Sequence, residues 1–407
     1  MHVLDELAAR GFVKQCTDLD ALRSHLDAGP VTYYAGFDPT ADSLHVGNLL
    51  PIMMMAHLQR AGHKPIAVVG GGTGMVGDPS GKTEARRLLD AEAVRYNMER
   101  QREQLGRFLD LSDGRGALID NGEWLLELQL IPFLRDIGAC FSVNRMLTAE
   151  GYRQRMERGL SFIEFNYQIL QAYDFLVLFQ RFGCTLQVGG DDQWGNLLAG
   201  VDLIRRKAEG HAHALTLPLL TTATGEKMGK THAGAVWLDA GRFSPFDMYQ
   251  YWYNLDDRDV GRFLRLYTFL PLDEIGRFDA LRGAELREAK RALAWEVTAL
   301  VHGVEAADAA RKGAEAMVAS AASADLPTYA VAAAALADGV LLANVIAAAG
   351  LARSASDARR LLEGGGVKVG DERVDDPKAS LDRAQVGGGV VVRVGRQRAV
   401  RVVASEV

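Results

Sequence analysis

The chain has 407 residues, of which 48% are hydrophobic and 24% charged, with a formal net charge of −6. That length implies two or three domains, and that composition is of an ordinary soluble globular protein, which excludes disordered, collagen-like and membrane-embedded classes. Cys16, Cys140 and Cys184 stand far apart with no C-x-x-C pair, which argues against a disulfide framework or structural zinc and for a reducing cytoplasm.

Charge is uneven along the chain. Residues 351–407 hold 11 Lys+Arg against 8 Asp+Glu, a mildly basic tail on an acidic body and a pointer to nucleic acid. The N-terminus "MHVLDELAARGFVKQ" has no apolar leader-like run, and no apolar stretch reaches membrane length, so no membrane association is expected.

From about Val31 to Leu219, the β-like runs "VTYYAGF", "PIAVVG", "GALID" and "CTLQVGG" alternate with helical patterns, which predicts an α/β domain with a parallel sheet covered by helices over residues 1–220. A short insertion is expected near 121–160. A run of short helices follows over 221–320, then a small-residue linker at 321–335 around Leu326–Pro327. Residues 336–407 read as a compact α+β domain, with two short helices, a turn, a strand and the Val-rich pair "GGGVVVRVGRQRAVRVV".

"GGGTGMVGDPSGKT" satisfies G-x-G-x-x-G at Gly72, Gly74 and Gly77 after a predicted strand, as dinucleotide sites do. No second strand ending in a ribose-binding acid follows, and the P-loop reading fails because Val76 stands where its first glycine belongs. What remains is a glycine-rich turn with Asp78, Lys82 and Arg86. Upstream, "YYAGFDPTADSLHVGNLL" sets Gly36, Asp38 and Thr40 after a strand, and His45, Gly47 and Asn48 where a helix begins, a natural anion site. Downstream, "TTATGEKMGKTHAG" supplies Lys227, Lys230 and Thr231 in a glycine-flanked loop. In "SFIEFNYQILQAYDFLVLF", Tyr167, Gln171 and Asp174 share one face of an otherwise apolar helix, and a buried polar stripe needs partners or a ligand. Within "QVGGDDQWGN", Asp192 read by itself is a helix N-cap.

Taken together, "HVGN" resembles the HIGH motif and "KMGKT" the KMSKS motif of class I aminoacyl-tRNA synthetases. "YYAGFDPTADSLH", "GDPSGK", "NYQILQAYDF", "GGDDQWGN" and "GEKMGKT", in this order, resemble the bacterial tyrosyl-tRNA synthetases. The tail is similar to the RNA-binding module shared with a small-subunit ribosomal protein. The resemblance implies a Rossmann-like catalytic domain, an α-helical domain and a small RNA-binding domain. It implies L-tyrosine, ATP with Mg²⁺, and tRNA(Tyr) as substrates, with no tightly bound cofactor. Asp78, Tyr167 and Gln171 would hold the α-ammonium, Tyr34 and Asp174 the phenolic hydroxyl, and Gln193 the reacting carboxylate. Asp192 with Gly190 would meet the ribose, Asp38 with Gly36 the amino or adenylate region, and Thr40, His45, Gly47 and Asn48 the phosphates. Lys82, Arg86, Lys227, Lys230 and Thr231 would close on the leaving pyrophosphate. Phe162 falls where the family forms its dimer interface, so a homodimer is expected.

The sequence departs from the family pattern in three places. Asn48 replaces the second histidine, Pro51 lies early in that helix, and Ala355 and Ser356 stand where relatives often carry basic residues beside Arg359 and Arg360. The competing readings are a tryptophanyl relative, a nucleotidyltransferase acting on another small acid, and a non-enzymatic RNA-binding paralogue. The pair Tyr34 and Asp174 argues against the first two, and the retained Asp78, Lys82, Lys227 and Lys230 against the third.

Overall fold

The computed structural model describes residues 1–80, 90–148, 152–153, 156–157, 159–225, 228–231, 234–323, 327–337, 339–370, 372–387, 389–395 and 398–405. They form two compact units, Met1–Gly313 and Ala314–Val407.

The first unit is built on a six-stranded sheet: β1 (Gln15–Cys16), β2 (Thr32–Phe37), β3 (Lys64–Val69), β4 (Ala117–Asp120), β5 (Cys184–Gly190) and β6 (His213–Leu217). Their order is β1-β6-β5-β2-β3-β4. All neighbours are parallel except β1, which runs antiparallel to β6 at the edge. Connections leave β2 toward β3 on one side while β5 lies on the other. In such open sheets the crevice beyond the strand carboxyl ends at this switch point receives the ligand. The four long apolar runs in the sequence became β2 to β5. β1 and β6 escaped the sequence reading because one has two residues and the other, "HALTL", is a five-residue run with only one β-branched residue.

Two helices position the site. Val46–Arg60 is buried nearly all round by Val46, Leu49, Ile52, Met53, Met54 and Met55, so it runs through the core and carries its N-terminus to the crevice. Pro51 lies inside it and removes one donor, that to the Gly47 carbonyl. Phe162–Phe182 starts at a capping box, where Ser161 N–H donates to Glu164 Oε2 at 3.1 Å and Glu164 N–H to Ser161 Oγ at 3.3 Å. It stops at Gly183, whose φ of 61° favours glycine. Helices Pro245–Tyr253, Val260–Tyr267, Leu272–Asp279 and Leu286–His302 follow, around Trp252, Phe263 and Tyr267. Trp252 packs against Tyr267 with ring centroids 4.9 Å apart.

The second unit sets helices Leu342–Ala348 and Ala355–Glu363 beside a five-stranded sheet whose core includes Leu342, Ile346, Leu362, Val392 and Val402. Ser354 caps the second helix by accepting from Asp357 N–H at 3.2 Å. Within the span expected as linker, Thr328–Ala332 forms a strand parallel to Arg398–Ser405. Its alternation is carried by Tyr329 and Val331 alone among alanines, which reads as low complexity in sequence.

Candidate active site

A cavity of about 570 Å³ opens at the carboxyl ends of β2, β3 and β5. It is lined by Tyr34, Gly36, Asp38, Thr40, His45, Gly47, Asn48, Asp78, Tyr167, Gln171, Asp174, Gly190, Asp192 and Gln193, drawn from four separate stretches of sequence. Lys82, Arg86 and Lys227 lie outside the described residues, as do the side chains of Lys230 and Thr231. A neighbouring cavity of about 600 Å³ shares only Asp192 and Leu219 with it and gathers none of the raised acids. The chemistry therefore belongs to the first.

One end is closed by Asp174 and Tyr34. Asp174 is 3% exposed and accepts from Trp124 Nε1 at 2.7 Å and from Asn121 Nδ2 at 2.9 Å. Burial, opposed by those two donors, pushes its carboxyl up to about 7. Tyr34 Oη is buried and has no hydrogen-bond partner among the described residues. A buried hydroxyl left unpaired costs about 1–3 kcal/mol, so this end is built for a ligand that supplies a partner.

The middle of the cavity is a connected polar network. Asp78 accepts from Gln193 Nε2 at 2.7 Å and from Ser80 N–H at 2.9 Å, and burial, then Asp38, raises it to about 7. Tyr167 Oη donates to Asp38 Oδ1 at 3.2 Å. Asn196 Nδ2 donates to Gln171 Oε1 at 3.0 Å and to Gln193 Oε1 at 3.1 Å. Two neighbouring carboxylates, Asp78 and Asp38, suit a cationic group such as an ammonium.

The far end is made of backbone. His45 N–H donates to Asn48 Oδ1 at 3.0 Å, which tightens the first turn of the Val46–Arg60 helix. The segment leaving the KMGKT loop is laced to that turn, with Val46 N–H to Val236 O at 2.9 Å and Leu238 N–H to Leu44 O at 2.8 Å. At Gly229, φ is +81°, and a Cβ there would lie 2.9 Å from Gly47 N. This close approach and its positive φ require glycine at 229.

The glycine-rich turn proves to be neither nucleotide fingerprint. Its N–H groups are spent inside the protein: Gly71 donates to Asp120 Oδ1 at 3.1 Å and Gly72 to Asn121 Oδ1 at 2.9 Å. A Cβ on Gly71 would fall 2.1 Å from Asp120 Oδ1, so these glycines serve close packing against the end of β4. Asn121 thus ties the turn to Asp174.

Residues 26–319 match the family tRNA synthetases class I (W and Y), and residues 340–385 match the S4 domain. The chain belongs to the class I tRNA synthetases of the W and Y group. The tyrosine–tRNA ligase of Clostridium botulinum (strain Alaska E43 / Type E3) is 50% identical over 398 residues, 97% of this chain and 98% of its own length. That of Acetivibrio thermocellus is 47% identical over 97% of each chain. Among solved structures, a C-terminally truncated mitochondrial tyrosyl-tRNA synthetase of Aspergillus nidulans superposes with a TM-score of 0.70 at 32% identity, covering 78% of this chain and 94% of that one. A tryptophanyl-tRNA synthetase from Encephalitozoon cuniculi shares the fold, with a TM-score of 0.54 at 14% identity over 75% of this chain and 87% of that one.

For this synthetase, motif reading missed Asn121, Trp124, Thr73, Gln187 and Asn196. Asn121 follows β4 at its carboxyl end, which is where a parallel sheet places site residues, and that was the available signal. Asp192 does not act as the helix cap: it sits in a 3₁₀ turn Asp191–Gln193, and Gln193 takes the N-cap position of helix Trp194–Lys207. A Cβ at Gly190 would meet Asp192 Oδ1 at 2.5 Å, so the carboxylate folds back over the glycine.

Proposed function

We propose that this synthetase is a tyrosine–tRNA ligase, which converts L-tyrosine and ATP to tyrosyl-adenylate and pyrophosphate and then transfers the tyrosyl group to the 3′ end of tRNA(Tyr). The observation that carries the reading is the closed end of the cavity, where Tyr34 Oη lacks a partner and Asp174 is fixed by Asn121 and Trp124. A phenolic hydroxyl supplies both a donor for Asp174 and a partner for Tyr34. Phenylalanine supplies neither and leaves both groups unpaired. Tryptophan's indole N–H can only donate, so it satisfies Asp174 or Tyr34 but not both.

Asp78, with Tyr167 and Gln171, takes the α-ammonium, and this directs the carboxylate toward Gln193 and the helix N-terminus. A carboxylate oxygen attacks the α-phosphorus of ATP, the P–O bond forms, and pyrophosphate leaves with the bridging oxygen's electrons. In the second step a terminal ribose hydroxyl of tRNA attacks the carbonyl, releasing AMP and a proton. ATP enters as its magnesium complex. No protein nucleophile takes part, so the rate comes from positioning and from stabilising charge on the phosphates. Asp192 is assigned the ribose, Thr40, His45, Gly47 and Asn48 the polyphosphate, and Lys82, Arg86, Lys227, Lys230 and Thr231 the departing pyrophosphate.

The S4 match and the exposed Arg359 and Arg360 of helix Ala355–Glu363 support tRNA binding by the C-terminal unit. Exposed Phe162, Leu130 and Ile131, at 80%, 68% and 70%, support a homodimer. No described helix is long and apolar enough to cross a membrane, and a cytoplasmic setting fits the three free cysteines. The test is aminoacylation of a tRNA(Tyr) transcript with labelled tyrosine. Charging supports the reading, and charging with tryptophan instead overturns it. Light scattering of the Phe162→Asp variant tests the dimer, with a halved mass expected.

A further inference from the structure

The turn that presents Asp192 and Gln193 is held from outside the cavity. Asp191, one residue earlier, accepts from Gln15 Nε2 at 2.6 Å and from Thr216 Oγ1 at 3.0 Å through the same Oδ1. Gln15 N–H donates to Thr216 Oγ1 at 3.1 Å, which closes a ring of three residues. Thr216 is fully buried on β6, directly opposite Gln15 on the antiparallel edge strand β1, and it pairs on its other side with Gly189 of β5. Gln15, Thr216 and Asp191 do not line the cavity of the fourteen candidate residues.

Inside the cavity Gln193 holds the turn through Asp78 and Asn196, and the ring holds its other end from outside. Neither the 3₁₀ turn nor the helix after it carries a side-chain cap bond. Asp191 and Asp192 also place two carboxylates on adjacent residues, which favours splaying unless one is tied down by donors. The ring ties Asp191 outside the cavity, while Asp192, the next residue, lies back over Gly190 in the cavity lining.

We propose that Asp191, held by Gln15 and Thr216, is a positioning residue for ATP, and that the N-terminal edge strand is in this way part of the nucleotide site. The inference rests on the ribose role given to Asp192 under the proposed function. Asp191 touches no substrate. It acts through the turn.

The test is calorimetric titration of the full chain with a non-hydrolysable ATP analogue, alongside pyrophosphate exchange in which ATP and tyrosine are varied separately. For Asp191→Ala, the analogue Kd and the ATP KM are expected to rise about tenfold while the tyrosine KM stays within about twofold, with the melting temperature as a control on folding. Asp191→Asn keeps an Oδ1 acceptor for both donors and is expected within about threefold of the parent chain. Gln15→Ala is expected in between. Unchanged nucleotide binding in Asp191→Ala overturns the proposal. So does an Asn variant as impaired as the Ala variant, which would make charge the cause, or a parallel rise in the tyrosine KM, which would make the role merely structural. A parent chain that binds the analogue but shows no tyrosine-dependent exchange overturns the functional reading instead, and the analogue titrations still decide the brace.

Discussion

At the closed end of the cavity, which the proposed function assigns to the substrate hydroxyl, the lining groups are side chains locked by other side chains: Asp174 by Asn121 and Trp124, with Tyr34 buried against Phe175 at a centroid distance of 5.2 Å. At the opposite end, which the proposed function assigns to the phosphates, main-chain groups are brought close by glycine, with Gly229 resting on Gly47 at the start of a core helix. Choosing between tyrosine and phenylalanine depends on one oxygen atom, and only a fixed, dry wall with an unmet partner can register it. Stabilising a phosphoryl transfer depends on close backbone approach and on cations that meet charge as it develops. The first end should therefore fail through lost selectivity, and the second through lost rate.

The largest expected break is at the first end. Asp174→Ala leaves the buried donors of Asn121 and Trp124 without their acceptor, and about 3–5 kcal/mol is expected from kcat/KM for tyrosine, with reduced thermal stability. Steady-state exchange and calorimetry check it. A variant of near-parental activity contradicts it. Next is Lys230→Ala, at about 3 kcal/mol in the activation step with tyrosine affinity unchanged, read by pre-steady-state adenylate formation against equilibrium binding. Equal losses in both would remove Lys230 from the phosphate end.

A smaller effect follows from Asp78, raised to about 7 chiefly by burial. The ammonium of tyrosine needs the ionised carboxylate, so tyrosine affinity should fall about tenfold per unit as the pH drops below 7, or about 1.4 kcal/mol per unit. In the free protein the sign is opposite. An acid raised in the folded state gives stability that is present below its unfolded value of 3.8 and lost as the pH rises toward 7. The melting-temperature gain on adding tyrosine should therefore grow between pH 6 and 8, and a flat profile excludes Asp78 as the ammonium partner. The smallest effect sharpens the contrast. Tyr34→Phe removes the orphan hydroxyl, so the free protein should become more stable by about 1 kcal/mol while the preference for tyrosine over phenylalanine narrows about tenfold.

The parts of this molecule legible in sequence are those that are local. β2 to β5 announce themselves as apolar runs, Ser354 caps as its position implies, and the helix at Val46 starts where His45 and Gly47 suggest. Tyr167, Gln171 and Asp174 could be set on one helical face from spacing alone. The site's supports were illegible because they are distant pairings: Trp124 and Asp174 are 50 residues apart, and Gln15 and Asp191 are 176 apart. The glycine-rich turn shows the limit most clearly. Its sequence invites a phosphate, and only the position of Asp120 and Asn121 at the end of a neighbouring strand shows that its N–H groups are already used.

The measurement closest to the central claim is amino-acid-dependent ATP–pyrophosphate exchange without tRNA, comparing tyrosine with phenylalanine. The account predicts exchange with tyrosine and discrimination against phenylalanine of about 10⁵ in kcat/KM, the magnitude a tyrosyl-tRNA synthetase shows against phenylalanine. Comparable exchange with both amino acids would mean that Tyr34 and Asp174 do not read the hydroxyl, and would contradict it.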